Sequence, residues 1–193
     1  MVNCTSGGVR GQSYCCLTPR LTFRSLRCYP PPILGKITTV EDFQSVREGL
    51  RRAGQTLVLT NGHFDVLHVG HVRYLQAAKA LGDVLVVGLN DDDSTRALKG
   101  PPRPIVPATE RAELLAALEA VDYVIPFTEL TAEHLVTTLR PEIYVKGSDW
   151  HVDDLPEAPA IRAYGGQIRL ISAVPGRSTT DIVETILERY GRY

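Results

Sequence analysis

The chain has 193 residues, 44% hydrophobic and 22% charged, with a formal net charge of -1 at pH 7. That length holds one ordinary domain plus a tail, and the balanced charge excludes a surface dominated by basic residues of the kind that binds nucleic acid or anionic membrane. No apolar run approaches the roughly 20 residues that span a bilayer, so small anionic substrates in the cytoplasm are expected rather than a polymer or a membrane.

Residues 1–34 differ from the rest. They carry Arg10, Arg20, Arg24 and Arg27 without one acidic residue, are rich in Ser, Thr and Gly, and end near Pro30-Pro31-Pro32. The composition predicts a disordered extension, either a flexible tail or upstream sequence from an incorrectly chosen start; an acid-free, arginine-bearing leader also matches an organelle transit peptide. Cys4, Cys15, Cys16 and Cys28 all lie here, without the paired spacing of a zinc knuckle, and the domain itself needs no disulfide.

From residue 35 to 193 short apolar runs alternate with amphipathic segments. Asp42–Ala53 reads as an entry helix, Thr56–Thr60 as a β-branched strand buried on both faces, and Gly70–Leu81 as a helix with Val72, Leu75, Ala78 and Leu81 on one side. Asp83–Asn90 follows as a strand and Thr109–Val121 as a helix. Tyr123–Pro126, Ile143–Val145 and Gln167–Ile171 supply further strands; Ala132–Leu139, Pro159–Tyr164 and Thr180–Tyr190 supply helices. The alternation predicts a doubly wound α/β domain with a mostly parallel sheet. Ligands of such sheets bind beyond the carboxyl ends of the strands, so the loops after Thr60, Asn90 and Val145 should converge.

Three of the five histidines, His63, His68 and His71, fall in Thr60–His71 (TNGHFDVLHVGH), between the first strand and the first long helix. Gly62 and Gly70 permit close backbone approach, and the helix start offers N–H groups and the positive end of a dipole, which suits phosphate. Imidazoles there can donate to α-phosphate oxygens as charge builds. An isolated His-x-x-His equally well caps a helix or holds a metal.

Other segments carry the same two-sided reading. Lys99, in a Gly- and Pro-rich loop, is either solvated or a bridge between reacting phosphates. Arg111 either contacts substrate or pairs with Glu110 and Glu113. Lys146-Gly147-Ser148-Asp149 should return to the pocket of His68, with Lys146 on phosphate and Gly147 allowing backbone approach, while Trp150 stacks on ligand or packs. Gly176-Arg177-Ser178-Thr179-Thr180 is a helix cap, an anion cradle, or both. Asp91-Asp92-Asp93 reads as a solvated turn at Asp93, with Asp92 open between turn and metal.

TNGHFDVLHVGH resembles the signature of the cytidylyltransferase-like nucleotidyltransferases, a His-x-Gly-His after Gly-x-Phe-Asp. The resemblance continues through Leu89–Asp92, Lys99-Gly100, Glu110-Arg111, Val121-Asp122, Val145–Trp150 and Arg177–Thr180, spanning about residues 36–190. Within that superfamily RALKGPPRPIVPATERAELLAALEAVDYV looks closest to the adenylyltransferase module acting on heptose 1-phosphate. The resemblance implies a Rossmann-like fold, with ATP and a sugar 1-phosphate as substrates and magnesium travelling with the nucleotide. It also suggests a homodimer; the heptose enzymes are often fused to a sugar kinase, for which this chain has no room, so that kinase is expected as a separate protein. His68, His71 and Lys99 are the implied catalytic residues. Asn61, Gly62, His63, Phe64, Gly70, Gly147, Ser148, Asp149, Arg177, Ser178, Thr179 and Thr180 are the implied nucleotide contacts, and Lys99, Arg111 and Lys146 the implied substrate contacts; no residue is a dedicated metal ligand. His63 departs from the family, where Cys or Thr is common. The expected reaction is in-line attack of the acceptor phosphate on the α-phosphate, releasing pyrophosphate. The alternatives are a CTP-dependent enzyme acting on glycerol 3-phosphate, a noncatalytic nucleotide sensor, and a metal-dependent hydrolase built on His63, His68 and Asp65.

Overall fold

A computed structural model describes residues 33–172 and 176–191. The expected extension and its four cysteines therefore lie, but for residues 33 and 34, outside the described residues. Strands β1 (Leu57–Gly62), β2 (Val84–Asn90), β3 (Tyr123–Phe127), β4 (Ile143–Gly147) and β5 (Gln167–Ile171) form one sheet in the order β3-β2-β1-β4-β5. All four pairings are parallel. The chain winds outward from β1 to β3 on one side and from β4 to β5 on the other, so strand order reverses between β1 and β4, the point whose carboxyl-end crevice takes the ligand in sheets of this kind.

The helices are α1 (Val40–Arg52), α2 (Val69–Lys79), α3 (Asp92–Lys99), α4 (Ala108–Ala116), α5 (Glu133–Leu139), α6 (Ala158–Ala163) and α7 (Thr179–Tyr190). Successive side chains of a strand point to opposite faces, and β1 shows what that does here. Leu57 and Leu59 pack with Phe43, Leu50, Leu135 and Ile161 from α1, α5 and α6. Val58 packs on the other face with Leu75, Ala78, Ala112 and Leu115 from α2 and α4. Both faces are dry, which is why the strand reads as an unbroken apolar run.

Two segments differ from the sequence expectation. Residues 92–99, expected as turn and loop, form α3, and Lys99 is the last residue of that helix. The acidic run is the reason: the Asp91 carboxylate accepts from the Ser94 amide at 2.8 Å and caps the helix, with Asp92 and Asp93 in its positive first turn. The helix expected over 109–121 stops at Ala116. Its last residues are drawn toward the sheet, where the Asp122 carboxylate accepts from the Leu85 amide at 2.7 Å and pairs with Lys79 at 2.5 Å. No helix among the described residues is long and apolar enough to cross a membrane.

Leu59 is fully buried at the centre of the central strand. Leu59→Ala should lower unfolding free energy by about 2–5 kcal/mol, the usual range for a core leucine. The check is urea denaturation: the midpoint should fall while the slope stays constant, and a loss below about 1 kcal/mol would contradict this packing.

Candidate active site

Where β1 ends, the chain must turn sharply to enter α2. Phe64 adopts a left-handed backbone (φ 46°), at a cost of order 1–3 kcal/mol for a non-glycine residue, and burial of its ring offsets this. A Cβ on Gly62 would lie 3.2 Å from that ring and would have to press it aside by a few tenths of an ångström. The next residue, Asp65, is buried and fully committed. Its carboxylate accepts from Arg103 Nη1 at 2.7 Å and from the amides of Ile105 and Val106 at 2.7 and 2.9 Å. Those three donors hold its pKa below the ordinary value against the opposing effect of burial. Asp65 thus clamps the segment after Lys99 and does not join His63 and His68 in a metal-ligand set.

His68 is the N-cap of α2, its Nδ1 accepting from the Gly70 amide at 3.1 Å. An accepting Nδ1 places the proton of the neutral ring on Nε2, so His68 presents a donor there. The His71 ring stacks on it with centroids 3.9 Å apart, and Phe64 lies 5.3 Å away on another side of His71. His71 Nδ1 is buried without a partner. Burial, then the His68 ring, lowers the His71 pKa to about 4; burial also lowers that of His68. The pair is a set of neutral N–H donors at neutral pH, awaiting an acceptor. Gly70 makes the stacking possible, since a Cβ there would fall 2.8 Å from the His68 ring and 3.2 Å from the Arg177 carbonyl.

That close approach places the start of α7 beside the start of α2. Ser178 and Asp181 form a reciprocal capping box, with bonds of 3.1 and 2.9 Å, and Thr179 Oγ1 donates to the Val66 carbonyl at 3.4 Å. Of the two readings of this segment the cap is present, and it leaves Thr179 and Thr180 as the first two helical residues at the cradle's edge. On the opposite side of the crevice, Lys146 at the end of β4 is 8% exposed, its ammonium 5.7 Å from the Tyr144 ring centre and 5.4 Å from that of Trp150. A Cβ on Gly147 would run into the Asp149 carboxylate, and the Ser148 amide donates to Ile171, fixing this turn. Asn61 accepts from the Tyr144 hydroxyl at 2.6 Å, so its carbonyl oxygen serves the sheet end.

His63 marks where the cations gather. Burial lowers its pKa to about 4, reinforced by the charges of Lys99, Arg111 and Lys146, with Asp65 opposing. Its Nδ1 is 3.1 Å from Thr95 Oγ1 on α3. Lys99 is exposed at the end of that helix. Arg111 departs from both readings given above. It is 0% exposed and bonds the carbonyls of Val106 (2.8 Å), His63 (2.5 Å) and Asn90 (2.9 Å) and the Asp92 carboxylate (2.6 Å). Glu110 and Glu113 are not its partners. With every guanidinium nitrogen answered by protein, Arg111 ties loops together instead of facing substrate.

Asp91 and Asp92 are similarly occupied: Asp91 caps α3, and Asp92 holds Arg111 and the Ala108 amide at 2.8 Å. Among the described residues no group of three or more His, Cys, Asp or Glu side chains is placed to hold a metal. Sequence reading missed Thr95, Arg103 and the roles of Asp65 and Asp92. Asp91 followed by an acidic turn, then Arg96, Lys99 and Gly100, is a complete helix start and stop signal that would have put Thr95 on a helix.

The two depressed histidine values fix a pH dependence. In the unfolded chain both rings take protons near pH 6.5; in the folded chain they do so only near pH 4. Stability from keeping them neutral is complete above pH 6.5 and is lost as pH falls toward 4. Imidazole NMR should show midpoints near 4 for His63 and His71, and the urea midpoint should fall through that window, less steeply in His71→Gln. Midpoints near 6.5 would put both rings in water.

The cytidylyltransferase-like family profile matches residues 59–185, a span that runs from β1 to the middle of α7 and includes the histidine cradle. The chain is 53% identical over 155 residues to "Bifunctional protein HldE" of Syntrophotalea carbinolica, covering 80% of this chain and 32% of that protein. It is 47% identical over 156 residues to the protein of the same name from Geobacter metallireducens, covering 81% and 32%. The chain thus spans about a third of the length of these relatives. A solved structure, a lipopolysaccharide core biosynthesis protein from Thermoplasma volcanium GSS1, is similar with a TM-score of 0.53 and 31% identity, covering 63% of this chain and 98% of that one. With its profile match spanning more than half of its length and the His-x-Gly-His cradle seated at the sheet's reversal point, the chain belongs to the cytidylyltransferase-like family.

Proposed function

We propose that this chain is an adenylyltransferase that joins AMP from ATP to a sugar 1-phosphate. The observation that carries the reading is the stacked His68–His71 pair at the amino end of α2, neutral and with donors to spare. An acceptor phosphate oxygen attacks the α-phosphorus in line, the bond to the bridging oxygen breaks, and pyrophosphate leaves with that electron pair. The acceptor is already ionised, so no strong base is required. His68 Nε2 and the His71 ring donate to the α-phosphate oxygens as charge grows. ATP's own charge favours the protonated rings, raising their pKa values from the depressed resting state. Lys99 and Lys146 neutralise phosphates from the two sides of the crevice, while the Ser178–Thr180 turn and Gly147–Asp149 line the nucleotide. Arg111 and Asp65 position the loops.

Magnesium fits this site as a companion of ATP: the Asp65 and Asp92 carboxylates are engaged with protein donors, so triphosphate oxygens and water would hold it. It supplies charge neutralisation on the leaving pyrophosphate. The acceptor is proposed as heptose 1-phosphate, supported by the Lys99–Val124 resemblance, by the similarity to proteins named HldE, and by the lipopolysaccharide core protein's likeness. A sugar kinase activity would supply that acceptor in the cytoplasm. Residues 1–34 are proposed as dispensable for the chemistry.

A pyrophosphate-release screen crossing ATP and CTP with sugar 1-phosphates and glycerol 3-phosphate should give the highest turnover with ATP and heptose 1-phosphate. Predominant CDP-linked product would transfer the chain to the cytidylyl branch, and hydrolysis without acceptor would remove it from transfer chemistry. His71→Ala should lower turnover on the order of 10²–10³-fold, the loss of one preorganised donor, with ATP affinity changed far less. A folded variant within about threefold of the parent would remove His71 from catalysis. A chain starting at Gly35 should retain turnover within about tenfold, roughly 1.4 kcal/mol of barrier.

A further inference from the structure

The amino ends of β4 and β5, at the far edge of the sheet from the histidines, carry a second concentration of charge. Arg47 and Arg51 from α1, Arg140 at the end of α5, Glu142 before β4, and Tyr164 and Gly165 after α6 line a pocket of about 400 Å³. Three guanidinium groups face one carboxylate, and that carboxylate is used on both oxygens. Glu142 Oε1 pairs with Arg47 at 2.6 Å, and Oε2 accepts from the Leu57 amide at 2.8 Å. The lining thus carries two more positive than negative charges, which Glu48, outside it, partly offsets at Arg51.

Capping α5 accounts for part of the cluster. Arg47 Nε and Nη2 donate to the Leu139 and Arg140 carbonyls, both at 2.7 Å, and Arg51 Nη2 donates to Leu139 at 3.1 Å. Three features are left unexplained by capping. Arg47 is 2% exposed, yet its Nη1 has no partner, and the Tyr164 hydroxyl beside it is also buried and unpaired. Arg140 stands 5.4 Å over the Tyr164 ring and occupies a left-handed C-cap (φ 46°), a position that ordinarily favours glycine or asparagine. Finally, partial desolvation and the nearby Arg47 charge lower the Arg51 pKa, Arg140 adding to the repulsion and Glu142 and Glu48 opposing it. A buried donor without an acceptor and crowded guanidinium groups both call for an anion.

We propose that this pocket is a second binding site, separate from the nucleotide crevice, for a small phosphate-bearing anion. Guanidinium forks match phosphate oxygens in pairs. Arg51 and Arg140, both exposed, supply such forks in the pocket lining, and the buried Arg47 charge stands behind them. Binding neutralises the surplus charge without using any residue of the histidine cradle.

The test is an NMR titration of the whole chain with inorganic phosphate and, in a second arm, glucose 1-phosphate. Gly165 and Gly166 amides report on the pocket and Gly70 on the crevice, with sodium chloride at matched ionic strength as control. Saturable shifts at Gly165 and Gly166 are expected in at least one arm, weakened at least tenfold in the Arg51→Gln, Arg140→Gly double variant. Both positions are exposed, and glycine suits the backbone at 140. His71→Ala should leave those shifts unchanged. The arm that binds more tightly distinguishes free phosphate from a phosphate ester. Absence of saturable shifts in both arms, equal shifts with chloride, or unchanged affinity in the double variant would overturn the site.

Discussion

The candidate active site depends on one buried guanidinium. Arg111 joins the carbonyl at the exit of β1, the carbonyl at the end of β2, the loop before α4 and the carboxylate at the start of α3. A charge taken out of water is tolerable only when its donors are answered, and a single displaced loop would leave one orphaned. The four bonds therefore act together: each loop is held because the others are. Asp65 completes the lock with the opposite charge, gripping Arg103 and two amides in the same segment that Arg111 grips through Val106. Lys99 lies on the stretch between these anchors, free at its tip and fixed at its root.

The histidine pair works on a complementary principle. Two imidazolium charges with ring centres 3.9 Å apart would repel one another, and at His68 Arg177 adds to that repulsion while Asp181 opposes it. Burial and stacking keep both rings neutral at rest. An anionic ligand reverses that balance, so the site's protonation and its occupancy are linked through the same short distances.

The fold was largely legible because its signals are periodic. Leu57–Thr60 and Leu85–Leu89 are apolar on both faces, and the helix faces of α2 and α4 recur at helical spacing. The cradle was legible from His68, Gly70 and His71 in their order. What escaped were polar groups whose role is set by long-range partners. Asp92 stays open between turn and metal because nothing local reveals that it will meet Arg111 and Ala108. Arg111 reads as either a substrate contact or a partner of Glu110 and Glu113, its sequence neighbours, while the groups it bonds come from other segments. Glu142 and Arg47, distant in sequence, likewise meet only once the sheet has formed.

Strand order also sets a timetable for the molecule's making. β1 has its first neighbour, β2, soon after it in the chain, but its other edge is filled by β4, which begins only at Ile143. Pairings of long sequence separation form late, and synthesis runs from the amino end. On the ribosome, β1, β2 and β3 can associate while the central strand still has one bare edge, and the histidine turn that follows β1 has only half of its walls. Lys146, Gly147 and the turn beyond them arrive with β4. The crevice is therefore absent from the nascent chain until most of the domain has been made, and the exposed edge of β1 is the segment that a folding helper would have most reason to shield.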